Sequence, residues 1–477
     1  MNYKAIVKNL AAAFAAQGIS FVVSVVTSLV VPKILGVTEY GFWQLFLFYT
    51  SYVGFFHFGL NDGVYLLFGG VTRDKIDKKL INSELLFGLV YQSLIALGIT
   101  AYTICFIEDE KRCFVFLFTA FFLLLYNITY FYSLLFQAMN ETRLFSISSI
   151  IDRTSFFIVL VVLVGFHVDT FEVYVVGFTL AKLISLAYCV FNAKDFIAAG
   201  FVKPRYAIRA SLHSISVGFN LMIANIADML ILGIGRFLVD SAWGIEAFGK
   251  VSFSLSLVNF FITFVTQASM VLFPALRQGS KQEQIKFYIL IRDVMELLFP
   301  AIFILYFPMV VLLSCWLPQY SESMIYFAYL LPVCVFNTKM DICCSTYFKV
   351  FRLERVLLCV NLFTVIGSLS FALAGVYLFN SLELVLLGAV ASIACRSLVS
   401  EWILNDRLSV PSSKMAIEEL FLTIFFLVCA VVVEGIVGCL IFLVAYCTYL
   451  CINKSRLRDF LNMVSRLLNR GMGKTSL

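Results

Sequence analysis

The chain has 477 residues and a mean hydropathy of +0.96, with 61% of its residues hydrophobic and 13% charged. In a soluble domain about a quarter of the residues are charged. This composition therefore excludes an ordinary soluble protein and predicts an all-α integral membrane protein. The formal net charge is +6. Because the basic residues are dispersed among the gaps between apolar stretches, they suit contact with membrane lipids, and we expect no nucleic-acid partner.

Apolar windows of about 20 residues predict about 14 transmembrane helices: a group of six, a basic gap, a second group of six and two shorter helices. The predicted helices are 11–35, 41–68, 83–107, 113–139, 144–166, 171–191, 214–238, 250–276, 293–317, 324–351, 356–379, 383–404, 420–433 and 435–452. They define an N-lobe (1–193), a cytoplasmic linker (194–212), a C-lobe (213–404), two extra helices (405–453) and an amphipathic cytoplasmic tail (454–477).

The gaps between the predicted helices differ in charge. Lys and Arg gather in every second gap, as in 73–79 and 277–292, whereas the alternate gaps hold only Lys111 and Arg112. Positively charged loops remain in the cytoplasm. We therefore expect a multi-pass protein with both termini in the cytoplasm, whose first helix is retained rather than cleaved as a signal peptide.

A short pattern occurs twice. Residues 36–41 read Gly-Val-Thr-Glu-Tyr-Gly after the first predicted helix, and residues 244–249 read Gly-Ile-Glu-Ala-Phe-Gly after the seventh. A shift of about 208 residues aligns the two copies. Because an even number of predicted helices separates them, both copies have the same orientation, and the pattern predicts two six-helix lobes related by a pseudo-twofold axis along the membrane normal.

Polar side chains recur at helical spacing on four of the predicted helices. They are Gln17 and Ser24 in the first helix, Gln44 in the second, Asn225 in the seventh and Asn259 in the eighth. Small polar residues also serve as plain helix-packing surfaces in membranes. Because the stripes fall at repeat-related places, we expect these five residues to line a hydrated cavity.

Charges at membrane depth are a sharper signal, since each costs about 2.5 to 3.5 kcal/mol unless it is paired or hydrated. The candidate cavity cations are Arg153, Lys182, Lys339, Arg236 and Arg396. Three carboxylates are candidates for a coupling ion, a proton or sodium: Asp62, Asp228 and Asp341. Structural ion pairing is the alternative for any of them. Asp152 is a candidate partner of Arg153, whereas Lys182 has no obvious acid nearby in the sequence.

The cations favour a ligand with an anionic head, such as a lipid-linked pyrophosphate, because guanidinium groups match phosphate oxygens and lysine supplies a movable charge. The three histidines are scattered, the 13 cysteines lack metal-ligand spacing, and no Gly-Lys-Ser or Gly-Lys-Thr phosphate loop occurs. We therefore expect no catalytic site, no metal and no cofactor beyond an ion gradient. A membrane-embedded glycan polymerase or ligase, which would show a sizeable outer loop, is the less favoured alternative.

Two segments carry a resemblance to a known family. They are residues 35–46, which read Leu-Gly-Val-Thr-Glu-Tyr-Gly-Phe-Trp-Gln-Leu-Phe, and residues 58–63, which read Phe-Gly-Leu-Asn-Asp-Gly. Together with the striped first helix, they resemble the polysaccharide-biosynthesis branch of the multidrug/oligosaccharidyl-lipid/polysaccharide (MOP) exporters. One departure is that Met229 follows Asp228, where relatives often place a basic residue, and the arginine comes at Arg236.

The resemblance implies a Wzx-type flippase of the bacterial cytoplasmic (inner) membrane. Such flippases move undecaprenyl-diphosphate-linked repeat units of the O-antigen of lipopolysaccharide, or of capsule, to the outer leaflet by alternating access. The implied partners are lipid-linked oligosaccharide, membrane lipids and the glycan polymerase machinery. A lipid II flippase or a multidrug transporter of the same superfamily is the alternative. Cavity cations argue against cationic drugs but do not separate two pyrophosphate lipids.

Overall fold

The computed structural model describes residues 22–277, 281–351, 353–411 and 414–458. It is 90% helical, and this part of the chain contains no strand, so the predicted all-α class is confirmed. Gln17 and the tail beyond residue 458 lie outside the described residues. The first eight helices are α1 (Val22–Leu29), α2 (Val31–Tyr52), α3 (Leu60–Leu67), α4 (Lys78–Phe106), α5 (Glu110–Ala138), α6 (Thr142–Gly165), α7 (Phe171–Asn192) and α8 (Lys194–Ala198).

A long helical segment, α9 (Pro204–Arg277), follows. The remaining helices are α10 (Lys281–Leu298), α11 (Ile302–Trp316), α12 (Ser323–Leu330), α13 (Pro332–Lys339), α14 (Thr346–Val350), α15 (Glu354–Leu373), α16 (Leu382–Leu408), α17 (Met415–Val428) and α18 (Gly435–Ile452). Side chains cap the first turns of several of these helices. Asp77 accepts hydrogen bonds from the first turn of α4, Asp109 from that of α5 and Ser381 from that of α16, which satisfies amides that have no partner inside a helix.

Eleven helical segments of the described residues are long and apolar enough to cross a membrane, or up to twelve if the bent pair Val22–Leu29 and Val31–His57 is one span. This is fewer than the 14 or so predicted crossings, because helix continues through two of the predicted loops. The segment Asn225–Thr263 has 39 residues, about twice the length of one crossing, and contains the non-helical Gly244. Gly36 likewise lies inside α2.

The chain forms two compact units. Among the described residues, unit 1 comprises 22–229 and 243–252, and unit 2 comprises 230–242 and 253–458. Helix α9 therefore contributes to both units. The boundaries of the predicted N-lobe and C-lobe stay a prediction.

Within unit 1, α5 packs against α2, α3, α4, α6 and α7. An aromatic cluster that includes the fully buried Trp43 joins α2 to the neighbouring helices α6 and α7. Within unit 2, the segment Ser323–Phe348 is central, since 89% of its most apolar window is buried. By contrast, only 17% of the corresponding window of α4 is buried, as expected of a helix whose apolar side chains face lipid.

The repeated pattern has the same backbone conformation in both copies. Gly36 has φ 71° and ψ −177°, and Gly244 has φ 79° and ψ −173°. A positive φ is unfavourable for a residue that carries a β-carbon, which explains why both copies begin with glycine. The helix direction is interrupted at the same place in each copy.

The two copies also contact each other inside unit 1, and the contact is reciprocal. A β-carbon at Gly41 would lie 2.7 Å from the carbonyl oxygen of Ile245, and one at Gly249 would lie 3.0 Å from that of Val37. The shift that aligns the copies exchanges these two contacts, as in a twofold interface. The hydroxyl of Thr38 donates a 3.0 Å hydrogen bond to Glu246, a residue 208 positions later. The predicted repeat therefore has a structural counterpart at this turn.

Candidate functional site

Unit 1 contains a polar cavity of about 340 Å³ among helices α5, α6 and α7. Two of the predicted cavity cations, Arg153 and Lys182, line it together with Asp152. The other lining residues carry mainly hydroxyl groups: Tyr126, Thr129, Tyr130, Ser133, Phe145, Ser148, Ser149 and Ser185. Hydroxyls can donate to phosphate or sugar oxygens and accept from sugar hydroxyls, so this cavity is chemically suited to an anionic glycan head.

Lys182 pairs with Asp152 across α6 and α7. Its Nζ atom lies 2.5 Å from Oδ2 of Asp152, and the two side chains are 11% and 29% exposed. The ammonium group also lies 5.4 Å from the centre of the Tyr126 ring, a distance at which the face of an aromatic ring attracts a cation. This corrects one sequence-based expectation, because Lys182 does have an acidic partner, Asp152 on the neighbouring helix.

Arg153 is the exposed cation of the same cavity. The three charged lining residues are two basic side chains and one acidic side chain, so their formal charges sum to +1. A net positive wall attracts an anionic head group. The carboxylate of Asp152 offsets the cost of burying the ammonium group of Lys182.

Asp62 lies in the first turn of α3, just after the break that separates α3 from α2. Its Oδ2 atom is 3.7 Å from Nε2 of His57, and both residues are buried. The ring of His57 stacks on that of Tyr130, with centroids 5.8 Å apart. Since Tyr130 also lines the cavity, the candidate coupling residue Asp62 is connected through His57 to the cavity wall. Sequence reasoning had found no role for His57.

Lys339 lies in a different environment, inside unit 2. Its Nζ atom is 2.9 Å from Glu296, 2.7 Å from Glu401 and 2.9 Å from Glu419, and all four side chains are at most 3% exposed. We therefore withdraw Lys339 from the candidate ligand-binding residues, because its ammonium group already has three protein carboxylates around it. Lys339 is the last residue of α13, which is buried along most of its length.

The remaining cations also lie in unit 2. Arg396 is buried, and its guanidinium donates a 2.7 Å hydrogen bond to Asn337 and a 3.4 Å one to Asn361. It lines a separate cavity of about 560 Å³ whose walls are otherwise mostly apolar. Arg236 is half-buried on the part of α9 that belongs to unit 2. Neither cation shares the cavity of Arg153 and Lys182.

The structure places the other candidates at scattered positions. Asn225 and Asp228 are exposed on α9 in unit 1, and Asn259 and Asp341 are exposed in unit 2. Ser24 is half-buried in α1. Gln44 is buried, and its amide donates a 2.7 Å hydrogen bond to the hydroxyl of Tyr40 one turn earlier, so its polar group serves the helix itself. Among the described residues, no group of three His, Cys, Asp or Glu side chains is placed to hold a metal ion.

The pairing of Asp152 with Lys182 could have been inferred from the sequence. The two helices are joined by a short loop between Gly165 and Phe171. Asp152 lies about as many residues before this loop as Lys182 lies after it, so antiparallel neighbours bring the two charges to a similar depth. The signal was the distance to the shared loop rather than the spacing within either helix.

Two solved structures of membrane proteins are similar to this one. The structure is similar to an inward-facing multidrug resistance MATE family transporter of the MOP superfamily, with a TM-score of 0.62, 11% identity, and 81% of this chain and 94% of that chain covered. It is also similar to the lipid II flippase MurJ in an inward closed conformation, with a TM-score of 0.60, 12% identity and 94% and 99% covered. At this identity the likeness shows the fold alone, which this protein shares with these two membrane proteins.

The family follows from the sequence itself. A model of the polysaccharide biosynthesis protein family matches residues 6–280, more than half of the chain, so the protein belongs to this family. The resemblance found in the sequence is thereby confirmed. No curated protein matches the chain by sequence.

Proposed function

We propose that this protein is a flippase that moves undecaprenyl-diphosphate-linked oligosaccharide repeat units, of O-antigen or capsule, from the cytoplasmic to the outer leaflet by alternating access. The observation that carries the proposal is the polar cavity of unit 1. It has two cations, one carboxylate and a wall of hydroxyl groups, all on helices of a membrane-spanning fold. Membership in the polysaccharide biosynthesis family supports a glycan as part of the cargo.

Arg153 is proposed as the first contact for the diphosphate. A guanidinium can donate two parallel hydrogen bonds to phosphate oxygens. Lys182 is the second cation of the cavity, and its Nζ atom donates a 2.5 Å hydrogen bond to Oδ2 of Asp152. A diphosphate that enters the cavity competes with Asp152 for this ammonium group, so the lysine changes partner when the ligand binds and returns to the aspartate when it leaves.

The exchange of partners keeps the affinity for the cargo moderate. A flippase must release what it binds, and an ammonium group with no alternative partner would hold the diphosphate too tightly. We expect that Asp152→Asn raises the amount of lipid bound to the purified protein and slows its release. An unchanged affinity in this variant would argue that Asp152 serves only to neutralise Lys182.

The lipid that copurifies with the protein tests the substrate. Native mass spectrometry should detect an undecaprenyl diphosphate that carries an oligosaccharide. Arg153→Gln and Lys182→Gln should each lose most of this lipid, whereas Arg209→Gln, which removes an exposed cation from α9, should keep it. A bound lipid with a peptide-bearing sugar would instead support a lipid II flippase. Bound lipid that is unaffected by both cavity variants would remove the cavity from the proposal.

A further inference from the structure

The serine and threonine hydroxyls of the polar cavity in unit 1 have defined hydrogen-bond partners. Such a hydroxyl has one proton to donate and two lone pairs with which to accept. Five of these residues line the cavity: Thr129, Ser133, Ser148, Ser149 and Ser185. The destination of each proton therefore decides whether the wall offers a ligand hydrogen-bond donors or acceptors.

Two of the hydroxyls bond to the backbone of their own helix. The hydroxyl of Thr129 donates a 2.7 Å hydrogen bond to the carbonyl of Leu125 in α5, and that of Ser149 donates a 3.3 Å one to the carbonyl of Phe145 in α6. Both bonds reach back four residues, as is common for small hydroxyl residues inside helices. In the poorly hydrated interior of a protein such a bond is stronger than in water, so these hydroxyls keep their protons on the backbone.

The other three hydroxyls connect α5, α6 and α7. Ser148 donates a 2.8 Å hydrogen bond to the carbonyl of Phe145, and Ser185 donates a 3.0 Å one to the carbonyl of Ser148. The hydroxyl oxygens of Ser133 and Ser148 are 3.3 Å apart. Because Ser148 already directs its proton at a carbonyl, Ser133 is the donor in this pair. All five protons therefore point at protein atoms, and each oxygen keeps a lone pair with which it can accept.

These five oxygens form what we call the acceptor wall, and it lies one helical turn from the charged groups of the cavity. In α6, Ser149 precedes Arg153 by four residues, and in α7, Ser185 follows Lys182 by three. Residues three or four apart lie on the same face of a helix, separated by about 5.4 Å along its axis. Because α6 and α7 are antiparallel neighbours, both serines lie on the same side of the charged pair.

We propose that the acceptor wall binds donor groups of the sugar that is directly linked to the diphosphate, so that the cavity selects a neutral sugar and disfavours an acidic one. This inference rests on the proposed function. With the diphosphate at Arg153 and Lys182, the group one turn away is the sugar attached to it. Sugar hydroxyls and amide N–H groups can donate to the wall, whereas a carboxylate can only accept.

The wall also separates a loaded lipid from an empty one. A lipid diphosphate without a sugar has its charge for Arg153 and Lys182 but no ring hydroxyls for the wall. An acidic sugar would bring its carboxylate against oxygen lone pairs, and a buried polar group that loses its partner is costly. The charged groups therefore bind the anion that all such lipids share, and the wall binds what differs among them.

Removal of two acceptors tests the wall. The double variant Thr129→Val and Ser149→Ala loses two hydroxyls that bond to their own helices, while the Ser185 bond between α6 and α7 stays in place. Titration of the purified full-length protein, followed by native mass spectrometry, should show about tenfold or weaker affinity for undecaprenyl-diphosphate-linked glucose, as expected for two lost hydrogen bonds. The affinity for undecaprenyl diphosphate without a sugar should not change.

A matched double variant controls for the loss of hydroxyls as such. Thr119 in α5 also donates to a carbonyl four residues earlier, and neither Thr119 nor Ser146 in α6 lines the cavity. Thr119→Val with Ser146→Ala should bind both lipids as the parent does. Equal loss for both lipids in the Thr129 and Ser149 variant, or no loss for the glucose-linked lipid, would overturn the acceptor wall.

An acidic sugar provides a second test on the parent protein. Glucuronic acid differs from glucose only in a carboxylate that replaces one hydroxymethyl group. We expect the lipid with glucuronic acid to bind the parent about tenfold more weakly or worse, because one donor group is lost and an anion faces the wall. Equal or tighter binding of the acidic lipid would contradict the proposed selectivity.

The two proposals fail in different ways. If the glucose-linked lipid binds with the expected selectivity but does not change leaflet in vesicles, the flippase proposal fails and the acceptor wall stands. If the lipid changes leaflet in a manner that depends on Arg153, while the Thr129 and Ser149 variant binds it as the parent does, the flippase proposal stands and the acceptor wall fails. A parent protein that binds none of the three lipids would overturn both.

Discussion

Charged side chains at membrane depth in this protein have two different surroundings. Arg153 and Lys182 line a polar cavity, whereas Lys339 is enclosed by three glutamates and is 1% exposed. The cavity beside Arg153 and Lys182 leaves room for a ligand, whereas protein side chains surround the ammonium group of Lys339. On the number of acidic partners and the exposure of the side chain, we propose Arg153 and Lys182 as ligand-binding cations and Lys339 as a structural one.

The structural role of Lys339 can be tested directly. Lys339→Met leaves Glu296, Glu401 and Glu419 buried without their shared cation, which costs about 3 to 5 kcal/mol when a buried pair is broken. We expect a clearly lower melting temperature in detergent, measured by scanning fluorimetry, while Lys286→Met, which changes an exposed lysine of α10, behaves as the parent. A Lys339→Met protein of normal stability that binds no lipid would restore Lys339 as a ligand-binding residue.

A second charge cluster surrounds Asp195, which lies in the short helix α8 outside the membrane-spanning helices. Arg73 contacts Glu141 at 2.8 Å and Asp195 at 2.6 Å, and Lys78 contacts Asp195 at 2.9 Å. Hydrogen bonds from Arg73 hold the pKa of Asp195 well below its usual range. A lowered pKa in the folded state stabilises the fold above the ordinary aspartate pKa of about 3.9, and this contribution is lost as the pH falls through the folded-state pKa.

Replacement of Asp195 should therefore have a pH-dependent effect. Asp195→Asn should lower stability by about 1 kcal/mol or less at neutral pH, since the pair is partly exposed. The difference in melting temperature from the parent should shrink below about pH 4. Asp74→Asn, which changes the exposed neighbour of Arg73, should show no such trend. A difference that grows towards acid pH would contradict the assignment.

At the scale of helices and turns, the repeated pattern of residues 36–41 and 244–249 depends on close packing. Gly41→Ala would place a β-carbon 2.7 Å from a backbone oxygen of the other copy, and such overpacking costs about 1 to 3 kcal/mol. Gly98→Ala is the matched control, because no atom lies within 4 Å of its β-carbon position and alanine favours helix. We expect a lower melting temperature for the first variant only, and equal values would contradict the reciprocal contact.

Most helices and this turn could be predicted from the sequence, because apolar length and the glycine pattern are local signals. The partners of buried charges could not, with the exception of Asp152 and Lys182 on adjacent helices. Lys339 donates hydrogen bonds to Glu296 and Glu419, which are 43 and 80 positions away in the sequence. Only the packing of several helices brings these residues together. His57 was missed for a related reason: its contact with Asp62 needs the left-handed backbone at Phe58 and Gly59, which the apolar pattern does not show.

At the scale of the whole molecule, the charge of the loops predicts that both termini lie in the cytoplasm. A green fluorescent protein fused to the C-terminus should fluoresce, and alkaline phosphatase fused there should be inactive. A short tag inserted beside Lys111, in the predicted outer loop, should react with an impermeant reagent in intact cells. Active phosphatase at the C-terminus would reverse the predicted orientation.

Translocation of lipid-linked oligosaccharide in reconstituted vesicles tests the central claim most directly. Undecaprenyl-diphosphate-linked oligosaccharide is placed in vesicles that contain the purified protein, and an impermeant oxidant reports how much sugar changes leaflet with time. We expect the parent protein to exceed protein-free vesicles, and Arg153→Gln and Lys182→Gln to be slower by about 10-fold to 100-fold, the loss of one or two charge-assisted hydrogen bonds. A parent rate equal to that of protein-free vesicles, or parent rates in both variants, would contradict the account.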